Sequence, residues 1–505
     1  MSRAGYAALL CVLPLTRGLA QGVTRLAQAD SIYQLGDRAA SARAYAAVLR
    51  LDPQSSRATF RLAQLTRDPA QALRLYRRYL ELQPRDAWGY VALGDLLARE
   101  GKRAEALREY DIAAQLAPGE RDVTVGRARV LARTGAPQQA AEAYAGWLAD
   151  HPGDAEAWQE LGKVELRIGK PAAAARALQH AQALAPDPTT SIRLREARAQ
   201  AAPSLEPTGG GSHDSDGNRV TRFGLSGDLA VADAIRVGVQ AGHERISASS
   251  ASPASLNELS ARLALRPRAA LRIDGSLGVL RLEPTGFGSS PLTTPGGRLR
   301  LRLRNSAGSA ALEAGVQRAA LDASPILLAQ HALRTEVGGL LTLPLGPLRI
   351  RGDGRVAQLE TIGETNHRTR LGAALALPLS YRFELSGQYH RMSYAHPTSA
   401  GYFAPRLAET LEAGSYVELG DGAPFTLALD LGAGAQRLAQ HGAQMGPWQR
   451  ALRLYGYLTA RIAPATQLQL EVEAYDAAVA PDAVSTSASG WRYASAMLSL
   501  RLAIP

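Results

Sequence analysis

Two periodicities divide this chain. From about residue 22 to residue 202 the apolar positions recur at helical spacing, and from about residue 219 onward they alternate one by one with polar positions. The second pattern is plainest at residues 297–304, Gly-Arg-Leu-Arg-Leu-Arg-Leu-Arg. In an extended chain Leu299, Leu301 and Leu303 fall on one face and Arg298, Arg300, Arg302 and Arg304 on the other. In a helix the arginines would circle the axis, and in a soluble sandwich core they would lack water. A wall with oil on one side and water on the other suits both faces, which predicts a transmembrane β-barrel.

The alternation recurs along the second half. Ile235, Val237, Val239 and Ala241 alternate with Arg236, Gly238, Gln240 and Gly242, and Tyr381, Phe383 and Leu385 with Arg382, Glu384 and Ser386. Leu468, Leu470 and Val472 alternate with Gln469, Glu471 and Glu473. Strands of about 9–11 residues are expected. Connections at Ala232-Asp233, Pro267-Arg268, 305–307, Gly346, 420–423 and Pro464 read as tight turns. Those near 247–255, 283–295, 322–331, 362–366, 395–407, 438–448 and 478–489 read as longer loops, so short and long connections alternate. Fifteen strands follow residue 219, and bacterial barrels close with an even number. A further strand over 204–212 makes sixteen and puts both ends of the barrel at one rim, with fourteen as the alternative.

The first half repeats. Pro84, Pro118, Pro152 and Pro186 stand 34 residues apart, the tetratricopeptide period. Trp88, Leu93-Gly94, Ala106 and Tyr110 mark one unit, Ala140 and Tyr144 the next, and Trp158 and Leu161-Gly162 a third. The unit from Pro53 to Pro84 is shorter, at 31 residues. Small residues let paired helices approach and large ones fill the gap, so Trp88, Gly94, Tyr110, Tyr144, Trp158 and Gly162 are read as packing positions. The prolines are expected to open new helices, and residues 189–202 to cap the array. Arg127, Arg129 and Arg133 are candidates for a partner-binding face, with a solvated surface as the plainer reading. The fold class is therefore α + β multidomain. A signal peptide over 1–20 and an all-α tetratricopeptide superhelix over 21–202 precede an antiparallel barrel over 203–505.

Composition narrows the setting. No run of about 18 apolar residues occurs, so no spanning helix is expected. A net charge of +11 would permit a nucleic-acid partner. Arg3, the apolar run 4–15 and Gly18-Leu19-Ala20 read instead as an export signal, which argues against one. The single cysteine, Cys11, lies in that run.

Candidate chemistry is sparse, and neither a cofactor nor a catalytic role is expected. Asp214, Asp216 and Asn218 imitate a calcium loop, but Leu225 stands where its bidentate carboxylate belongs, so a turn is expected. His243-Glu244 lacks the second histidine of a zinc helix, and no G-x-S-x-G elbow is present. The informative residues are those facing the lumen. Arg298, Arg300, Arg302, Arg304, Arg349, Arg351, Arg355, Arg368, Arg370 and Arg382 predict a basic wall. Glu412, Glu418, Asp430, Glu471 and Glu473 predict an acidic one. Ion pairing between the two walls across the lumen is one expectation, and a weak anion preference the other.

A tetratricopeptide half followed by a barrel resembles the exopolysaccharide export porins of cellulose and poly-N-acetylglucosamine secretion. The turn at 214–218 and the run Gly401-Tyr402-Phe403-Ala404-Pro405 add local likeness. The resemblance implies a polysaccharide in transit through an outer-membrane lumen and periplasmic protein partners for the repeats. Surface lipoprotein assembly modulators, usually with fourteen strands, share the architecture and form the competing class, and a structural or receptor barrel is a third. Sixteen strands and an open lumen would favour export.

Overall fold

The computed structural model describes residues 24–133, 136–249, 251–268, 270–285, 290–305, 309–380, 382–420, 424–476 and 491–504. The expected signal peptide lies outside them. The chain forms two compact units. One runs to Val164 and includes His180–Ala185, and the other holds Glu165–Gln179 and everything from Pro186 onward.

Antiparallel helices build the first unit. They are α1 over 24–34, α2 Arg38–Leu51, α3 Ser56–Leu65, α4 Pro69–Leu82, α5 Ala87–Arg99, α6 Arg103–Leu116, α7 Arg121–Arg133, α8 Pro137–Asp150 and α9 Ala155–Arg167. Asp37, Asp68 and Asp86 cap their helices by accepting from backbone N–H groups of the first turn. The 34-residue prolines do not open helices. Pro84, Pro118 and Pro152 each stand two residues beyond a helix end, at Leu82, Leu116 and Asp150, where a residue without an N–H stops propagation. Pro69 and Pro137 are the ones that open helices. The short repeat loses its residues from its first helix: α3 has 10 residues where α5 has 13.

Packing follows the small-and-large pattern. Tyr110 and Tyr144 are fully buried. A Cβ at Gly94 would stand 2.9 Å from the Tyr110 ring, and one at Gly126 would stand 2.6 Å from its hydroxyl. One tyrosine thus fills the gap between α5 and α7, and Gly126 escaped notice because it belongs to the following repeat. The Tyr110 hydroxyl donates to Asp95 at 2.7 Å, and Tyr45 repeats this with Asp30 at 2.7 Å. Gly162 is buried. Trp158 is half-buried and stacks on His180 with centroids 4.5 Å apart. Trp88 is 45% exposed and is not a core residue: Ala87, Val91 and Leu97 take the inner face of α5, which leaves position 88 outside. Arg127 and Arg129 are engaged by Asp111 and Glu156 at 2.8 and 3.1 Å.

The second unit contains α10 Pro171–Leu184 up to Gln179, α11 Pro188–Ala201 and a closed barrel. Leu194 and Ala197 of α11 pack on Ala174 and Leu178. The first eight strands are β1 Ser204–Asp214, β2 Arg219–Ala232, β3 Ile235–Ala248, β4 Ala251–Arg268, β5 Leu271–Pro284, β6 Leu292–Arg304, β7 Ala311–Ala320 and β8 Leu333–Leu345. The others are β9 Leu348–Thr361, β10 Glu364–Pro378, β11 Phe383–Tyr394, β12 Leu407–Leu419, β13 Phe425–Ala439, β14 Gln449–Ala463, β15 Thr466–Asp476 and β16 Arg492–Ala503. Each pairs antiparallel with its neighbours, and β1 closes on β16, with Ser204 opposite Ala503 and Asp214 opposite Tyr493. The barrel therefore has sixteen strands, and the Gly-rich stretch after Pro203 is one of them. Pro207 sits where the β1–β16 register skips from Leu205 to Thr208, at a break in the ladder that needs no donor.

Residues 203 and 504 lie at one rim, called proximal here. Two-residue turns at 233–234, 346–347 and 464–465 also lie there. The opposite, distal rim departs from the expected run of long loops. Only two residues join β3 to β4 and β9 to β10, because the strands continue through the expected loops at 247–255 and 362–366. Strands reach 18 residues in β4 rather than 9–11, so they outrun the apolar band. At the turn after β1, Asp214 accepts from the backbone N–H of Asp216 and Asn218 at 3.0 and 2.9 Å, and Gly217 takes φ 85°. Its carboxylate oxygens serve the turn that the sequence favoured over a calcium loop.

Candidate functional site

Strand register sorts every barrel residue to one face or the other. The outer face carries Leu277, Leu259, Val239 and Phe223, exposed by 73, 64, 62 and 60%. A closed barrel with an even strand number and such an outer surface is of the outer-membrane type. Among the described residues no helix is long and apolar enough to cross a membrane. The inner face carries the predicted arginines and acids, together with polar groups buried against one another, such as Arg368, Glu336, Glu384 and Glu412.

One side of the lumen, β2 to β10, is basic. Arg298, Arg300, Arg302 and Arg304 share the inner face of β6, opposite Gln317, Gly315, Glu313 and Ala311 of β7. Arg302 pairs with Glu313 at 2.7 Å. Arg349 and Arg351 converge on Glu384 at 3.2 and 2.6 Å, and Arg368 and Arg355 on Glu336 at 2.5 and 3.8 Å. Arg370 is buried on the same wall. Arg382 lies in the turn before β11, outside the strands, with its backbone N–H donated to Ser380 at 3.1 Å.

The other side, β12 to β16, is a tyrosine and carboxylate wall. Glu412 and Asp430 hold Arg453 at 3.4 and 2.9 Å, an arginine the sequence reading passed over. Tyr416 donates to Glu418 at 2.6 Å. Tyr455 bonds to Glu471, and Tyr475 donates to Glu473. Tyr457 stands opposite Glu471 in the β14–β15 register. Above them Tyr475, Tyr493 and Trp491 follow in order, with centroid separations of 6.1 and 5.6 Å. The signal for this column was present: each tyrosine occupies a polar position of the alternation, where an aromatic residue has no lipid to face.

The expected ion pairing across the lumen is not made. No ion pair among the described residues joins the β6 ladder to Glu412, Glu418, Asp430, Glu471 or Glu473. Strand spacing of about 4.8 Å and a tilt of about 40° put the walls roughly 30 Å apart, beyond the reach of an arginine and a glutamate together. The pairs that do form join neighbouring strands, as Arg302 with Glu313 and Arg453 with Asp430.

At the distal rim the lumen is filled by protein. The connection 321–332 contains a short helix, α12 Pro325–Ala329, with Leu327 and Leu328 fully buried. Leu328 packs with Val220, Ile246, Leu256, Leu280 and Leu282, all on the inner face of β2–β5. Leu327 packs with Leu359, Met392 and Tyr394 of the far strands and with Tyr402. The segment 395–406, where Gly401-Tyr402 lies, closes over this helix: a Cβ at Gly401 would stand 2.9 Å from Ile326. The region read as an external loop at 322–331 thus folds inward. Its sequence signal is a reversal of the pattern near the end of β5, where Leu280 and Leu282 take the inner positions and Arg281 and Glu283 the outer ones. At the proximal mouth, α11 and Arg236, Arg266, Arg461 and Arg501 border a cavity of about 350 Å³. Arg461 pairs there with Glu196 at 2.8 Å, and Arg236 donates to the Gln200 and Ala202 carbonyls at 2.9 and 3.2 Å.

Tetratricopeptide-repeat family models match residues 26–87, 66–121 and 121–164. No curated protein matches. Among solved structures, one described as a bacterial polysaccharide outer membrane secretin aligns at 9% identity and TM-score 0.44, covering 60% of this chain and 99% of its own. A structure described as MamA protein aligns at 22% identity and TM-score 0.30, covering 32% of this chain and 91% of its own. A tetratricopeptide protein from Thermus thermophilus, TTC0263, aligns at 22% and 0.29, covering 35% and 98%. The chain joins tetratricopeptide repeats to a closed antiparallel barrel of sixteen strands.

Proposed function

We propose that this protein is an outer-membrane porin that exports an exopolysaccharide, with its repeats held in the periplasm as a docking scaffold for protein partners. The observation that carries the reading is the inner wall from Tyr416 and Tyr457 through Tyr455 to Tyr475, Tyr493 and Trp491, interleaved with Glu418, Glu471 and Glu473. Ring faces accept the apolar C–H side of a sugar, and phenols and carboxylates bond its hydroxyls. A column of such groups along one wall suits a polymer that slides more than a small ligand that stays. Transport rather than catalysis is the role assigned to Arg298, Arg300, Arg302, Arg304, Arg349, Arg351, Arg382, Glu412, Glu471 and Glu473.

Sixteen strands weigh against the surface lipoprotein assembly modulators. The filled distal rim differs from the open lumen expected of an exporter, so export on this reading requires α12 and 395–406 to move aside. The test is secretion. In the native host, removal of the protein should leave the polymer inside the cell, and Tyr455→Ala with Tyr457→Ala should lower extracellular carbohydrate severalfold while the barrel still inserts. Unchanged polymer with loss of surface lipoproteins would move the protein to the assembly class.

A further inference from the structure

The basic wall is not uniformly neutralised. A cavity of about 370 Å³ in it is bordered by Arg236, Arg262, Arg272, Arg298, Arg300 and Arg302, with Asp228 and Asp274. Arg236 pairs with Asp228, Arg272 with Asp274 at 2.6 Å, and Arg302 with Glu313 at 2.7 Å. Those pairs consume both aspartates. Arg262, Arg298 and Arg300 then have no ion pair among the described residues, and Arg262 and Arg300 lie close enough to Arg298 to repel it. One further acid, Glu258, acts on Arg298 without forming an ion pair with it, so a single carboxylate offsets part of the charge of three arginines.

Like charges gathered in a concave wall cost free energy unless an anion joins them. Arg298 and Arg300 point the same way from one strand, about 7 Å apart along it, and Arg262 reaches toward Arg298 from β4 across Ser276 of β5. Guanidinium groups bind planar oxyanions through paired N–H bonds, which selects a carboxylate over a neutral hydroxyl. Neutral sugar rings find their partners on the tyrosine wall, so this site adds a second kind of recognition.

We propose that Arg262, Arg298 and Arg300 form a subsite for the acidic groups of the transported glycan, which makes the cargo a uronate-bearing polymer. This rests on the export reading and names its substrate class. The test uses the full chain in detergent, titrated with an oligoglucuronate, a neutral cello-oligosaccharide and inorganic phosphate. Wild type should bind the oligoglucuronate at least tenfold more tightly than either other probe, and more weakly as salt rises. The triple variant Arg262→Gln, Arg298→Gln, Arg300→Gln should lose at least tenfold for the oligoglucuronate and keep its affinity for the neutral oligosaccharide. Its folding is checked by the gel shift of an intact barrel on heating, and Arg300→Gln alone, showing a partial loss, serves if the triple variant fails to fold. Equal binding of uronate and neutral probes, or an unaltered uronate affinity in folded variants, would overturn the subsite. So would phosphate binding as tightly as the oligomer, which would mark a simple anion site. None of these results bears on secretion, which tests the export reading separately.

Discussion

Arg222 on β2 and Asp322 in the connection after β7 form an ion pair at 2.8 Å, 100 residues apart in sequence. Arg222 also faces Glu244 of β3 at 3.4 Å, so one cation ties the inward connection to two barrel strands. The α12 leucines supply the apolar half of the same attachment. Replacing Arg222 with Ala removes the cation that Asp322 and Glu244 share and should weaken docking by about 1–3 kcal/mol. A shift of that size raises an open population by roughly 5- to 150-fold. Planar-bilayer recordings of Arg222→Ala and Leu328→Asp should both show more frequent open-channel current than wild type. Equal currents would mean that 321–332 does not obstruct the lumen.

The proposed function puts the proximal rim in the periplasm, which predicts a labelling pattern. Ser252, near the distal end of β4, is exposed, and Pro347 lies in the proximal turn between β8 and β9. Ser252→Cys should react with a membrane-impermeant thiol reagent on intact cells, and Pro347→Cys only after the outer membrane is breached. Opposite labelling would put the proximal rim outside the cell.

Gly94 makes a prediction for the repeats. Any side chain there meets the Tyr110 ring at 2.9 Å and the Ala106 carbonyl at 3.3 Å. Gly94→Trp should destabilise the helical unit by about 1–3 kcal/mol through overpacking. Trp88→Ala, at an exposed position, should change it by no more than about 0.5 kcal/mol. Urea unfolding followed by far-ultraviolet dichroism separates the two, and equal losses would contradict the packing described.

Asp154 supplies a pH dependence. The bidentate hydrogen bonds from Arg121 at 2.8 and 3.1 Å, with help from the Ala157 N–H and the Trp147 indole, pull its carboxyl down to about 2. A carboxyl lowered on folding stabilises the fold above its unfolded value of 3.8 and loses that contribution as pH falls toward 2. Solvent around the half-exposed Arg121 screens the pair, so the contribution is about 1 kcal/mol. Asp154→Asn should lower the urea midpoint of the helical signal at pH 7 and leave it close to wild type at pH 2. A constant difference across that range would assign the effect to packing.

How much of this was legible depended on range. Alternation along residues 298–304 decides by itself which side chains meet water, since an arginine in lipid near the midplane costs about 2–4 kcal/mol. The 34-residue period likewise decides which helices pair, because each repeat contacts its neighbours in sequence. Both are local rules, and the inner faces followed from the first; the strand expected over 204–212 and found over 204–214, and with it the count of sixteen, came instead from the rule that such barrels close with an even number. The partners of those inner residues did not. Whether Arg302 met Glu313 or Glu471 depended on the width of the lumen, a property of the closed ring and of no single strand. Residues 321–332 look like any polar-flanked loop until Leu327 and Leu328 find Leu280, Leu282, Leu359 and Tyr394 waiting on an inner face. Burial of that helix is a contact between segments far apart in the chain: the reversal at Leu280 and Leu282 marks an apolar inner patch, but hydrophobic attraction is non-directional and does not specify which distant segment will cover it.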